Sequence, residues 1–76
     1  MQLAPGTYQF TTTAPTVTTV TYRVTAAGIE TTFGVLVWDG VGAYRRGSIG
    51  IEVLDGSHFV AMNGLENLTG VYLKVA

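Results

Sequence analysis

Apolar residues recur at every second position in short runs along this chain, and Gly, Pro, Asn and Asp stand between the runs. A period of two places successive side chains on opposite faces of an extended strand, so the pattern predicts strands joined by turns and no helix of consequence. The central stretch is Phe33 to Gly56, read as a long hairpin. Phe33–Trp38 runs up, Asp39–Gly47 forms a projecting connection, and Ser48–Leu54 runs back with Ile49, Ile51 and Val53 on one face. Asp39-Gly40 and Asp55-Gly56 end these two strands with residues that tolerate tight turns.

Around this hairpin the pattern places four more strands. Thr7–Phe10 puts Tyr8 and Phe10 on one face, and Thr11–Pro15 reads as a linker because proline donates nothing to a ladder. Val17–Thr25 sets Val20, Tyr22 and Val24 opposite Thr19, Thr21, Arg23 and Thr25, with Val17 out of phase, which predicts a bulge or a change of sheet near Thr18-Thr19. His58–Met62 and Val71–Val75 follow, the latter with Val71, Leu73 and Val75 inward and Tyr72 and Lys74 outward; Leu65–Thr69 reads as a loop or one helical turn. The expected fold is all-β, a small antiparallel β-sandwich or barrel of about six strands. It fills one domain, residues 1–76, with 1–5 as an extended N-terminal arm.

Two strands are apolar on both faces. Whichever of Val35/Val37 and Leu36/Trp38 faces the core, the other pair points outward, and Phe59/Ala61 against Val60/Met62 poses the same problem. Composition sharpens this. Charged residues make up 12% of the chain, against roughly 25% in an average soluble domain, and mean hydropathy is +0.36. A domain of this size has a thin core, and without cysteine and with one histidine it lacks both a disulfide and the usual structural zinc. Few lysines guard its strand edges. These features together predict a homo-oligomer, with a trimer among the options, in which other copies cover apolar surface and strand edges.

Charge and motifs narrow the partners. A net charge of −1 gives no field for nucleic acid or an anionic membrane, and no apolar run approaches the ~20 residues of a spanning helix. No secretion signal is read. Asp55, Ser57 and His58 supply the residue types of a hydrolytic triad, but within one turn they read as turn chemistry. Asp39, Glu52, Asp55 and His58 match no metal-site spacing. The expectation is therefore no enzyme, no catalytic or metal residue and no cofactor.

The residues assigned to a partner surface are Leu36, Trp38, Tyr44, Arg45 and Arg46, with Tyr44-Arg45-Arg46 lifted from the sheet. The combined reading is a self-associating structural subunit seated on a larger protein assembly, such as a virus or phage capsid that it decorates or stabilises. It would be made in the host cytoplasm and found in the virion. The alternative is a small carbohydrate- or protein-binding module that uses Trp38, Tyr44 and nearby loops.

Overall fold

The computed structural model describes all residues, Met1–Ala76, and contains eight strands rather than six. They are β1 (Gly6–Ala14), β2 (Thr18–Thr25), β3 (Gly28–Thr31), β4 (Gly34–Trp38), β5 (Ala43–Arg46), β6 (Ile49–Val53), β7 (His58–Asn63) and β8 (Asn67–Lys74). Each pairs antiparallel with the next, and β8 pairs with β1, so the sheet closes into an up-and-down barrel. Closure leaves no open edge. The expected strand addition between copies therefore has no edge to use, and any association must run through side-chain faces.

Of the two added strands, one comes from the Asp39–Gly47 connection, read as a projecting loop, and the other from Gly28–Thr31, the stretch leading into the central hairpin. Asp39 turns the chain tightly because its Oδ1 accepts the backbone N–H groups of Val41 (2.8 Å), Gly42 (2.9 Å) and Ala43 (3.1 Å). The reversal takes so few residues that Ala43–Arg46 is free to pair with both β4 and β6. Tyr44-Arg45-Arg46 thus lies in the sheet, not above it. Gly28–Thr31 likewise forms β3 between β2 and β4. The Thr11–Pro15 linker belongs mostly to β1, Asn67–Thr69 belongs to β8, and the irregular register falls between Thr12 and Ala14 on β1, against β8, not at Thr18-Thr19.

One face of each strand fills the barrel. Tyr8, Phe10, Val24, Ile29, Leu36, Tyr44, Ile51, Val53, Phe59 and Tyr72, with Leu3 from the arm, form a single buried cluster. Phe10 sits at its centre, with Phe59 edge-on at 5.2 Å between ring centroids and Tyr22 at 5.9 Å. Such aromatic pairs add about 0.5–1.5 kcal/mol each beyond the area they bury.

The last strand shows the opposite orientation to its expectation. Tyr72 points inward and is buried, while Val71, Leu73 and Val75 are 42%, 63% and 46% exposed. Gly70 fixes this choice. On the inner face, paired with Phe59, it lies so close to the Thr11 carbonyl oxygen and the Phe59 ring that a Cβ would collide with both. Only glycine fits there, so Val71 must face outward and Tyr72 inward beside Phe10.

The two ends of the barrel differ. At one end Met1–Pro5, which carries no strand, folds back over the opening: Leu3 is buried, its N–H donates to the Tyr44 hydroxyl (2.8 Å), and the Tyr8 hydroxyl donates to the Ala4 carbonyl (2.7 Å). The Met1 amine reaches the Val53 carbonyl at 2.9 Å. At the other end, ringed by the β1–β2, β3–β4, β5–β6 and β7–β8 turns, nothing covers the core.

Candidate functional site: an open apolar mouth and an outer apolar face

The uncovered end is a cavity of about 330 Å³ that descends from the turns to Phe10, Leu36 and Phe59. Alternation along the strands builds its wall: Val20 on β2, Ile49 on β6, Ala61 on β7 and Leu68 on β8 all stand above the inner cluster. No charged side chain lines it. Its polar groups are mostly occupied. Thr31 Oγ1 donates to the Gly34 carbonyl (2.7 Å), Thr12 Oγ1 accepts from the Thr18 N–H (3.1 Å), and the Asn63 amide is tied to Glu66 and Leu65. Tyr22 and Thr18 are the exceptions, the Thr18 hydroxyl bonding nothing within the chain. The hydroxyls of Tyr8, Tyr44 and Tyr72 each bond a backbone group, whereas that of Tyr22 bonds none.

Arg46 lies beside this mouth, outside its lining, as the cross-strand partner of the wall residue Ile49. It pairs with Ile49 across the β5–β6 hairpin and therefore projects on the inner side, where its guanidinium lies against the Cα of Gly34. It has no carboxylate partner, while Arg45, on the outer side, donates from Nε to Asp39 Oδ2 at 3.4 Å. Two neighbouring arginines thus differ: one is engaged by its own turn, the other is available.

The five residues assigned to a partner surface separate accordingly. Leu36 and Tyr44 are buried at 1% and 2% exposure, so neither forms an outer contact in the folded chain. Leu36 forms part of the cavity floor, and Tyr44 holds the arm over the opposite end. Trp38 packs half-buried against the core, its ring 5.1 Å from that of Tyr44. Only Arg45 and Arg46 of the five are exposed.

A different outer surface, which the sequence reading placed inside, is apolar. Val71 and Leu73 on β8, with Val75 just past its end, form an exposed row; the register sets Val71 beside Thr11 and Leu73 beside Gln9 on β1, and His58 of β7 beside Val71. Across the outer sides of β7, β8, β1 and β2 there is no acidic residue, and Arg23 and His58 are the basic side chains. The signal in the sequence was Gly70, whose place in the alternation fixes which residues of β8 turn outward.

The Asp55-Ser57-His58 group forms a closed turn. Asp55 Oδ1 accepts the backbone N–H groups of Ser57 (2.8 Å) and His58 (2.9 Å), and both Ser57 Oγ (3.1 Å) and Asp55 Oδ1 (3.0 Å) address the same ring nitrogen, Nδ1. A proton relay needs serine and carboxylate on opposite nitrogens, so the geometry is not that of a triad. The Ser57 N–H first, then the His58 side chain, hold the Asp55 carboxyl at about 2, below its ordinary 3.8. The turn amides of Gly42, Val41 and Ala43 hold Asp39 well below the carboxylate range in the same way. No three His, Asp or Glu side chains converge on one point.

Comparison of the chain with protein-family models, with curated proteins and with solved structures finds nothing that matches.

Proposed function

We propose that this chain is a non-enzymatic structural subunit that self-associates through the outer face of β8 and seats on a larger protein assembly, such as a virus or phage capsid that it decorates or stabilises. The observation that carries this reading is the exposed row Val71, Leu73 and Val75, set in a face that carries no acid across four strands. Apolar surface gathered in this way marks interaction sites, and a charge-poor centre is the mark of interface cores.

Size supports the same reading. A stable interface takes roughly 800 Å² from each partner, which is a little under a fifth of this chain's 4464 Å² surface. A strip of about three strands supplies that much. Arg45, on the outer side of β5, and the β4–β5 turn that holds it would then face the larger assembly, since they lie away from β8 in the ring of strands.

Because the chain has no cysteine, one can be introduced alone and spin-labelled. A label on Gln9→Cys, beside Leu73 on β1, is expected to lose mobility as concentration rises, while one on Glu30→Cys of β3 stays mobile. Equal mobility at both positions across the concentration range would refute self-association through β8.

A further inference from the structure

We propose that the open end of the barrel is a binding site for a small carboxylate-bearing amphiphile, its apolar body in the cavity and its head group at Arg46. This goes beyond the assembly reading and does not depend on it: the mouth and the outer face of β8 are separate surfaces.

The apolar body follows from the wall. A cavity of about 330 Å³ is roughly twice the ~150 Å³ that admits benzene, and falls at the lower end of the ~300–1,000 Å³ of small-molecule pockets. It therefore suits a ligand of about a dozen non-hydrogen atoms. Its walls offer Phe10, Val20, Ile49, Phe59, Ala61 and Leu68 and no charge, so a sugar, which needs many hydrogen-bond partners, is poorly served there.

The barrel is asymmetric in a way that stability alone does not require. Leu3 and two tyrosine hydroxyls close one end; at the other the core is left open to the solvent. Exposed apolar residues at the turns around that opening, Val17, Phe33 and Leu65, extend the apolar surface beyond the rim.

The head group follows from Arg46, and the wall adds a separate polar group. Arg46, inward-directed beside the mouth and without a carboxylate partner, favours an anion, and its planar fork suits a carboxylate. The Tyr22 hydroxyl, unbonded within the chain, is a donor in the wall. The nearby acid, Glu66, has Oε1 turned to the Asn63 amide at 3.3 Å.

The test is titration of the ¹³C-methyl-labelled full chain with decanoate, decanol and decylammonium, three probes with the same tail and different heads. Decanoate is expected to shift the methyls of Ile49, Ala61 and Leu68 saturably, to bind more tightly than decanol, and to leave decylammonium weakest. Arg46→Gln should weaken decanoate about 2- to 5-fold and leave decanol unchanged, and Tyr22→Phe should weaken decanoate roughly 2- to 10-fold. Ala61→Phe, which fills the cavity, should abolish binding. Should that variant not fold, the ranking of the three heads on the native chain decides instead. Absence of saturable shifts at the mouth, shifts confined to Val71, Leu73 and Val75, or decanol binding as tightly as decanoate would each overturn the proposal.

Discussion

The backbone N–H of Leu3 donates to the hydroxyl of Tyr44 at 2.8 Å, joining residues 41 positions apart inside the barrel. The bond turns the arm into a plug, since it satisfies a buried amide that would otherwise have no partner. Tyr44→Phe removes the acceptor and leaves the amide. It should cost about 1–3 kcal/mol in urea unfolding, whereas Tyr22→Phe, which breaks no bond within the chain, should stay within about 0.5 kcal/mol. Equal costs would mean that the plug does not depend on this bond.

Gly70 sets the orientation of β8, because a Cβ there meets both the Thr11 carbonyl and the Phe59 ring. Gly70→Ala should destabilise the barrel by about 2–3 kcal/mol, the upper range for overpacking. Gly56, where an added Cβ meets open space, serves as the control. Comparable losses from Gly70→Ala and Gly56→Ala would show that close approach does not decide which way β8 faces.

Acid should weaken the fold through two carboxylates. Asp55, lowered from 3.8 to about 2, and Asp39, lowered further, both bind protons less readily in the folded chain than in the unfolded one. Their contribution is therefore complete above the unfolded value, near pH 4, and is lost as pH falls towards about 2 for Asp55 and lower still for Asp39. Asp55→Asn and Asp39→Asn should be less stable than the native chain at pH 7, and the gap should narrow in thermal melts as pH drops through that window. A gap independent of pH between 7 and 2 would show that the turns do not rely on the charged form.

Much of the barrel was legible from alternation alone. Tyr8 with Phe10, Val20 with Tyr22 and Val24, and Ile49 with Ile51 and Val53 lie on the inner face as their spacing requires. What escaped were features in which one residue decides against the local pattern. Asp39 compresses a nine-residue connection into a short turn and releases a strand, which composition reads as a glycine-rich loop. Gly70 reverses β8 through contact with Thr11 and Phe59, which are distant in sequence. Closure itself has no local signal, because it depends on β1 meeting β8.

The candidate site was less legible for the same reason. Leu36 belongs to a strand apolar on both faces and Tyr44 to a segment that reads as a projecting loop, each suggesting an exposed contact, yet in a closed barrel their face is the inside. Substituting serine for Leu36 would thus open the core, at about 2–5 kcal/mol by analogy with other large-to-small changes, and would report on stability, not on a partner. Arg45 and Arg46 were legible as a pair, but their different surroundings follow from the β5–β6 register.

Light scattering across a dilution series, on the native chain and on Leu73→Ser side by side, addresses self-association most directly. The native chain should show a mass that is a multiple of 8.1 kDa and declines on dilution, while Leu73→Ser, with its fold intact, should remain at 8.1 kDa. A native chain that stays at 8.1 kDa at the highest concentration it tolerates would contradict the assembly role of β8.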